Sequence, residues 1–557
     1  MKKTRRIAAM VAAMALAACS ISPVMMNANA AAEVNTISFT GETAGTHVYT
    51  AYRIFNGTAS ENGFGSKVSL GNPTWAGTEG KLTDFISALK TENVLKTGET
   101  YDFANATTVD DIIEVLSGYD TNSAKAKAFA KVAAAGASDY GFQSATKANG
   151  AETNSITANT DGYYVISETT FTPDTSHEGN EGAMTAYLLG VYDASVGAEI
   201  AVKTSVPSVV KKVQDINDTT ETQLSNLQDS ADYDIGDVIP YTITATIGED
   251  IANFDAYSIQ FVDDMSKGLT LSTTGWKVEV VNADNTTTDI TSLFTAPTSA
   301  DSTANTNGKV WTWAARDVKT YTKNDTLTAL VTGDKIVLTY DVTLNENAVI
   351  GSTGNPNTVS LKYDNNPNSC GTGNPAGETP KDKNIVFTYK TVFNKFDEKN
   401  APLSGADFKL EKKVNGIWVD VTQLHTGEGA INPTKNITNS TSFEFAGLDD
   451  GDYKLTETTT PNGYNTIDPI TFTITAGHVE IDDNPTLQNL TGADGTEFTM
   501  TANVEAGSLT ASIKNEQGST LPSTGGIGTT LFYLGGGITV ALAGIYLVSK
   551  KRAGNAE

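Results

Sequence analysis

The chain has 557 residues and a formal net charge of −27 at pH 7, with 65 acidic and 38 basic residues. That acidity argues against nucleic-acid binding, which needs clustered Lys and Arg, and it fits a soluble, self-repelling surface outside the cell. The length suggests about three or four domains of ~150 residues each. The four histidines form no ligand-spaced pair, so we expect no metal, no cofactor and no enzymatic turnover.

Residues 1–30 have the pattern of a secretory signal peptide. Basic residues near the start are followed by the apolar stretch Ile7–Ala18 and by the cleavage motif Ala28-Asn29-Ala30. A lipoprotein signal is the alternative, because Leu16-Ala17-Ala18-Cys19 resembles a lipobox. Cleavage after residue 30 would leave Cys370 as the one remaining cysteine, so we expect an exported protein without an internal disulfide.

Residues 31–203 are predicted to form a β domain with inserted helices. The segments "HVYTAYRIF" and "DGYYVISET" have the composition of strands. Between them, apolar residues recur at i, i+3, i+4 and i+7, once over 82–89 and once over 109–116, and "AKAKAFAKVAAAGA" is a third helical segment. We expect these helices to cover one face of the sheet.

Two further units, 204–382 and 383–517, are predicted to be all-β. Alternating segments such as "VIPYTITATI", "DKIVLTYDVTL", "NIVFTYKTVFNKFD" and "ITFTIT" are separated by turns, and the Gly/Pro-rich stretch over 368–383 marks the boundary. The fold class is therefore mainly β, with tandem immunoglobulin-like sandwiches and helices inserted in the N-terminal domain.

In the middle unit, charged and amide side chains continue apolar rows. Residues i and i+2 of a strand share a face. Lys211 alternates with valines, Asp263 follows Tyr257, Ile259 and Phe261, and Asn357 precedes Val359 and Leu361. Lys212 is the main rival to Lys211, and Asp255 and Asp264 compete with Asp263.

The third unit repeats the pattern. Lys395 shares a face with Phe393, Glu457 with Tyr453 and Leu455, and Asn515 with Ile513. Buried charges are costly unless paired. A purely structural ion pair between Lys395 and Glu457, with Asn515 hydrogen-bonded to it, explains this pattern as well as a chemical role does.

The segments "KFDEKNAPLSGADFKLEK", "YKLTETTTPNGY" and "ASIKNE" give this third unit a close resemblance to the collagen-adhesin B-type domain. The resemblance implies an intramolecular isopeptide bond, in which the Lys395 amine attacks the Asn515 amide, ammonia leaves and Glu457 assists as an acid. Apolar surroundings favour this chemistry, because they disfavour the charged forms of both the amine and the carboxyl group.

The middle unit, through "VVKKVQD", "FVDDMSKGLT" and "NPNTVSLKYDNNP", resembles the isopeptide-forming domain of Gram-positive shaft pilins. That resemblance implies a bond between Lys211 and Asn357, with Asp263 as the acid. The first unit has no complete set, and Glu168 is predicted to be an ordinary strand-end residue. The acidic segment "LDDGDY" lacks the twelve-residue calcium-loop pattern and is predicted to be a solvated turn.

Residues 518–557 resemble the sorting signal of Gram-positive surface proteins. Leu521-Pro522-Ser523-Thr524-Gly525 precedes an apolar stretch over 527–548, which is long enough to span a bilayer, and a basic tail. The resemblance implies a sortase, whose cysteine attacks the Thr524 carbonyl, releases the chain from Gly525 onward and passes the acyl group to an amine.

The acceptor amine is predicted to be Lys203. Shaft pilins usually place this lysine after Tyr-Pro at the junction of their first two domains; Lys203 occupies that junction, but the Tyr-Pro pair is missing. The resemblance thus implies a major pilin of a cell-surface fimbria, secreted, polymerised with copies of itself by a sortase, anchored to peptidoglycan and supporting adhesion. Minor or tip pilins are candidate further partners. The alternative is a monomeric wall-anchored adhesin whose first domain binds a surface ligand.

Overall fold

The computed structural model describes residues 34–60, 64–65, 69–120, 123–146, 155–176, 179–202, 204–219, 222–223, 227–425, 441–493, 499–517 and 536–545. The predicted signal peptide lies outside these residues, as does most of the predicted membrane-spanning stretch 527–548. Residues 536–545 of that stretch are helical. Among the described residues, no helix combines the length and apolar character needed to cross a bilayer.

The first unit consists of two sheets and a helical layer. Its sheets have the strand orders β11-β1-β8 and β3-β10-β9-β2-β4, with β7 beside β2, and β5 pairs with β6. The strands are β1 (Thr36–Thr40), β2 (Thr46–Ser60), β3 (Phe64–Gly65), β4 (Ser69–Trp75), β5 (Lys96–Thr97), β6 (Thr100–Tyr101), β7 (Gln143–Thr146), β8 (Ser155–Thr157), β9 (Gly162–Thr172), β10 (Leu188–Tyr192) and β11 (Ala198–Ala201), and the helices are α1 (Leu82–Leu89), α2 (Val109–Ser117) and α3 (Ala124–Ala135).

The three predicted helices are confirmed, and they cover one face of the larger sheet. Phe85 of α1 is fully buried and packs edge-on against Phe129 of α3, with ring centroids 5.6 Å apart. Both belong to a core that includes Phe55 of β2. Helix α2 begins at a capping box in which the Thr108 side chain accepts a hydrogen bond from the backbone N–H of Asp111. The periodic apolar stripes therefore serve packing.

The middle unit is a sandwich of two sheets. One has the order β12-β16-β25-β19-β20, with β18 beside β25, and the other has the order β15-β28-β26-β17-β22-β21, with β27 beside β26. The strands are β12 (Ser208–Val213), β13 (Ile216–Asn217), β14 (Thr222–Gln223), β15 (Ser230–Asp232), β16 (Val238–Thr246), β17 (Ile259–Met265), β18 (Leu269–Leu271), β19 (Lys277–Val281), β20 (Thr287–Asp289), β21 (Thr298–Asp301), β22 (Lys309–Ala315), β23 (Thr320–Lys323), β24 (Thr326–Ala329), β25 (Lys335–Leu344), β26 (Asn355–Tyr363), β27 (Gly377–Glu378) and β28 (Asp382–Phe387).

The third unit is a smaller sandwich, with sheet orders β32-β29-β37-β36 and β31-β30-β33-β34-β35. Its first and last strands, β29 and β37, lie side by side and run parallel. The strands are β29 (Tyr389–Asp397), β30 (Asp407–Val414), β31 (Ile417–Asp420), β32 (Ser442–Leu448), β33 (Gly451–Thr459), β34 (Ile470–His478), β35 (Leu487–Ala493), β36 (Met500–Asn503) and β37 (Ser508–Asn515).

The strand predicted over 384–397 is in fact two strands that belong to different sandwiches. Strand β28 pairs with β26 of the middle unit, whereas β29 pairs with β32 and β37 of the third. The chain passes between the sandwiches at Thr388, a few residues beyond the predicted boundary at 383. The local sequence could not reveal this division, because no glycine or proline separates the two halves.

A fully buried lysine of the third unit connects it to the middle unit. Lys412 of β30 donates to Asp234 Oδ2 at 2.6 Å, and to Asp218 Oδ2 and Asp449 Oδ2 at 3.2 Å each. The side chains of Asp234 and Asp449 are 1% exposed. Burial alone would lower the pKa of Lys412, but these carboxylates hold it well above its usual value. The amine is therefore held as a cation.

Asp449 belongs to the "LDDGDY" segment, so the prediction of a solvated turn there was wrong. Its side chain accepts from Lys412, and its backbone N–H donates to Asp234 Oδ1 at 2.9 Å. Turn composition indicated a surface position, but Asp234 of the neighbouring unit accepts from the backbone of this turn, and Lys412 of the third unit pairs with the Asp449 carboxylate.

Replacing Lys412 by methionine is expected to destabilise the junction. The change leaves Asp234 and Asp449 buried without their cation, which should cost about 3–5 kcal/mol. The matched control is Lys413→Met, because Lys413 makes a 3.5 Å ion pair with Asp452 at 38% side-chain exposure and should contribute at most about 1 kcal/mol. Urea denaturation of the secreted chain would compare them, and equal midpoints would refute the assigned role of Lys412.

Candidate functional site

The middle unit encloses a lysine, an aspartate and an asparagine between its two sheets. Lys211 lies on β12 of one sheet, and Asp263 and Asn357 lie on neighbouring strands β17 and β26 of the other. Asp263 is paired with Val359, so it is offset by two residues from Asn357 and shares its face. All three side chains are 0% exposed, and the Lys211 amine contacts Asp263 Oδ1 directly.

A tyrosine hydroxyl contacts all three of these residues. Tyr340 of β25 accepts from Lys211 Nζ at 2.6 Å and donates to Asp263 Oδ2 at 2.6 Å, and Asn357 Nδ2 lies 3.4 Å from the same hydroxyl. Sequence reasoning missed Tyr340. The available signal was the alternation of β25, in which this hydroxyl continues the buried row of Leu338.

Aromatic rings surround the Lys211 amine. Nζ lies 4.8 Å from the ring centroid of Tyr241 and 5.3 Å from that of Tyr340. Burial lowers the pKa of Lys211 below its usual value, although the adjacent Asp263 carboxylate acts in the opposite direction. The site therefore favours the neutral, nucleophilic form of the amine more than water does. Asn357 Oδ1 is buried and accepts no hydrogen bond from any residue that the structure describes.

The third unit encloses a similar set. Lys395 of β29 and Asn515 of β37 lie on adjacent parallel strands, and Glu457 of β33 faces them from the other sheet. The Lys395 amine contacts Asn515 Oδ1 and lies 3.3 Å from Glu457 Oε1. Asn515 Nδ2 donates to Glu457 Oε1 at 2.9 Å. One carboxylate oxygen thus contacts both the amine and the amide nitrogen.

The surroundings of this second site fix the acid and disfavour a charged amine. Glu457 Oε2 accepts from the backbone N–H of Ile467 at 3.0 Å, which holds the carboxylate in place. The Lys395 amine lies 5.3 Å from the ring centroid of Phe408. Burial lowers the pKa of Lys395, with Glu457 again opposing the shift.

The rival residues of the middle unit lie elsewhere. Lys212 points away from the Lys211 cluster and pairs with Asp229 at 2.5 Å. Asp264 accepts from Asn305 at 2.8 Å, and Asp255 is exposed. The strand alternation therefore selected the inward-facing lysine and aspartate.

In the first unit, Glu168 is not the ordinary strand-end residue that was predicted. It lies within β9 with a fully buried carboxylate, which contacts His47 Nδ1 at 2.9 Å and accepts from the Thr185 backbone N–H at 2.7 Å. Burial would lower the pKa of His47, but Glu168 raises it above its usual value. The described polar contacts of this carboxylate include neither a lysine nor an asparagine.

Lys203 and the pentapeptide from Leu521 to Gly525 lie outside the described residues. The residues beside Lys203 are fixed to different units. The backbone N–H of Val202 donates to Thr40 O of β1 at 2.8 Å, and Ser205 Oγ accepts from the Glu249 backbone N–H at 2.6 Å. The segment containing Lys203 therefore connects the first unit to the middle unit.

Family models match three stretches of the chain. The model of the Gram-positive pilin backbone subunit 2, Cna-B-like domain, matches residues 235–367. The prealbumin-like fold domain named SpaA matches residues 390–485, and the LPXTG cell wall anchor motif matches residues 513–555. The first two ranges include Asp263, Asn357, Lys395 and Glu457.

Named relatives are proteins of Gram-positive surfaces. The trypsin-resistant surface T6 protein of Streptococcus pyogenes serotype M6 is 24% identical over 443 residues, covering 68% of this chain and 75% of that protein. The solved structure of the T6 backbone pilin is 16% identical with a TM-score of 0.46, covering 88% of this chain and 100% of that one. The solved structure of the full-length major pilin SpaD of Corynebacterium diphtheriae is 16% identical with a TM-score of 0.38. It covers 87% of this chain and 98% of that one.

The three matched modules follow one another along the chain without overlap. A pilin backbone domain is followed by a prealbumin-like domain and then by the motif that attaches proteins to the cell wall. The chain is a backbone pilin of a Gram-positive surface pilus, secreted and carrying an LPXTG cell-wall anchor.

Proposed function

We propose that this pilin cross-links itself internally through Lys211–Asn357 and Lys395–Asn515 isopeptide bonds, and that a sortase joins Thr524 of one subunit to Lys203 of the next. The observation that carries the internal bonds is the burial of a lysine, a carboxyl group and an asparagine together at two separate sites. A carboxylate alone is enough to balance the charge of a buried lysine. An asparagine amide is not needed for that purpose, but it provides the electrophile that a neutral lysine amine can attack.

The internal reaction is an amide exchange that each site performs once. The neutral amine attacks the asparagine Cγ, the Cγ–Nδ2 bond breaks, and ammonia leaves. Glu457 Oε1, in contact with both nitrogens, is positioned to carry the proton from the attacking nitrogen to the leaving one. Holding the reactants in contact replaces a bimolecular encounter. The subunit is thus modified rather than acting as an enzyme with turnover.

In the middle unit, the same proton transfer involves two groups. Asp263 contacts the amine directly, but Asn357 Nδ2 reaches the acid through the Tyr340 hydroxyl. We propose that Tyr340 relays the proton to the leaving nitrogen. Burial raises the pKa of Tyr340 well above its usual value, and the Asp263 carboxylate adds to this shift. The hydroxyl is therefore protonated and can donate its proton to the leaving nitrogen.

The bonds would attach the entry strand of each sandwich, and in the third unit they would join the strands at which force enters and leaves. Lys211 is on the first strand of the middle unit and its partner is on the facing sheet; Lys395 and Asn515 are on the first and last strands of the third unit. Tension pulling the termini apart would then act on a covalent bond instead of on the strand ladder. A subunit in a fibre that supports adhesion needs this resistance.

For the bond between subunits, Lys203 is the proposed acceptor because its segment joins two sandwiches and lies outside both clusters. Lys212 is a weaker alternative, since Asp229 pairs with its amine and its side chain is 26% exposed. The LPXTG match over residues 513–555 supports Thr524 as the residue whose acyl group the sortase would transfer. Sortase, other copies of the pilin and peptidoglycan are the proposed partners.

The internal bonds should lower the intact mass. Each releases one ammonia of about 17 Da, so these two bonds account for a loss of about 34 Da from the secreted chain. Glu457→Gln keeps the shape but cannot carry the proton, so this variant should lose about 17 Da less than the parent chain. The control is Glu411→Gln, because Glu411 is buried on neighbouring β30 but pairs with Lys409 and Lys454. Mass spectrometry showing the unmodified mass for the parent chain would reject both bonds.

Tyr340→Phe should slow formation of the Lys211–Asn357 bond while the middle unit still folds. The change removes one hydroxyl and keeps the ring, and loss of a proton relay typically slows a reaction by about 100-fold or more. Tyr321→Phe is the matched control, since its buried hydroxyl contacts Asn282 instead. Time-resolved intact masses after synthesis would measure the rate, and equal rates for the two variants would exclude a role for Tyr340.

Lys203→Arg should abolish the ladder of covalent multimers seen on a denaturing gel when the native sortase is present. Arginine keeps the charge but stays protonated and cannot act as the nucleophile. Monomer should still reach the wall through Thr524. Lys212→Arg is the control and should retain the ladder; persistence in Lys203→Arg would exclude Lys203, and loss in Lys212→Arg would indicate Lys212. Absence of any ladder from the parent chain would favour a monomeric adhesin.

A further inference from the structure

A third group of lysine, carboxylate and asparagine lies at the edge of the middle sandwich, outside both proposed sites. Lys212 Nζ contacts Asp229 Oδ1 at 2.5 Å, and Asn384 Nδ2 lies 3.3 Å from the same oxygen. Asn384 is 0% exposed and Asp229 is 4% exposed. Lys212 is on β12, the first strand of the sandwich, and Asn384 is on β28, the strand that leads into the third unit.

The contacts repeat those of the site in the third unit. There, Glu457 Oε1 contacts the Lys395 amine at 3.3 Å and the Asn515 amide nitrogen at 2.9 Å. Here, Asp229 Oδ1 makes the same two kinds of contact. Asn384 Nδ2 also donates to the backbone oxygen of Lys211 at 3.2 Å, and Asn384 Oδ1 is buried with no hydrogen-bond partner among the described residues.

The acid is held in place from the third unit. Asp229 Oδ2 accepts from the backbone N–H of Asp482 at 3.1 Å, and the Asp229 backbone N–H donates to Glu480 O at 2.7 Å. These contacts leave Oδ1 directed at Lys212 and Asn384. A simple surface ion pair would not need a buried amide or a carboxylate fixed by a neighbouring domain.

We propose that Lys212 and Asn384 form a third isopeptide bond, with Asp229 as the proton carrier; this inference rests on the chemistry proposed above for the other two sites. Asp229 takes a proton from the Lys212 ammonium group, Nζ bonds to Asn384 Cγ, and the Cγ–Nδ2 bond breaks. The new amide keeps one of the three lysine protons. The other two, one of them carried by Asp229, go to the leaving nitrogen, which departs as ammonium. No oxidant is required.

The third bond would close a gap in the covalent path along the pilus. With Lys211–Asn357 alone, tension must still pass through the chain from Asn357 to Asn384, which extends to about 90 Å at ~3.4 Å per residue. Asn357 and Asn384 are direct cross-strand partners in the folded unit. A Lys212–Asn384 bond would transfer the load straight from β12 to β28, just before the third unit begins.

Peptide mapping of pilin from wall material tests the bond. After denaturation, trypsin should cut after Lys383 and Lys390 and release the heptapeptide 384–390 if Asn384 is free. If the bond exists, this heptapeptide should instead be attached to the peptide containing Lys212, with about 17 Da lost, and cleavage after Lys212 should fail. Lys212→Arg keeps the ion pair with Asp229 and should release the free heptapeptide.

The same digest reads the two sites of the proposed function. Lys395 and Asn515 appear in a separate cross-linked peptide, whereas peptide 336–362, which contains Asn357, joins the peptide that Lys211 and Lys212 share, and fragmentation assigns each linkage to its lysine. Free heptapeptide from the parent chain would overturn the third bond alone. Heptapeptide attached to Lys211 would overturn both the third bond and the Lys211–Asn357 bond, because one amine forms one amide. Absence of all three linked species would overturn the third bond and the proposed internal chemistry together. The parent digest decides the matter even if Lys212→Arg does not accumulate.

Discussion

The rest of this pilin depends on the cost of placing a lysine amine between two apolar sheets. An ammonium group in such a place loses its hydration, and one carboxylate repays this loss only in part. Lys211 and Lys395 are in this position, each with one acid and one amide in the same pocket. A neutral amine beside an amide is a reactive arrangement, so the burial that weakens the ion pair also prepares the proposed cross-link.

Lys412 is the informative contrast, because burial alone does not make a lysine reactive. It is as fully buried as Lys211, yet its three aspartate partners raise its pKa, whereas the pKa of Lys211 is lowered. Excess carboxylate keeps the amine charged and suits it to hold two sandwiches together. A single acid together with an amide suits it to bond formation. The groups around a buried lysine therefore decide whether it acts as a structural cation or as the proposed nucleophile.

The arrangement of strands determines how the proposed bonds would carry a pulling force. Parallel pairing of β29 with β37 brings the two ends of the third sandwich side by side. In the middle unit, β12 lies close to β26 and β28, the strands that lead out of the sandwich. Proposed bonds at Lys211, Lys212 and Lys395 would all begin on an entry strand, so a pulled subunit would transmit force through amide bonds near its domain junctions.

The sequence by itself determined which side chains face inward on a given strand, because side-chain direction in a strand has a local period of two. It identified Lys211, Asp263, Asn357 and the corresponding trio around Lys395 as continuing apolar rows, and it located the three helices. Only the tertiary structure decided which rows meet. Tyr340, the Glu168–His47 pair, the aspartates around Lys412 and the division at Thr388 all depend on strands or domains far apart in sequence, whose contacts follow from how the sheets pack and not from local periodicity.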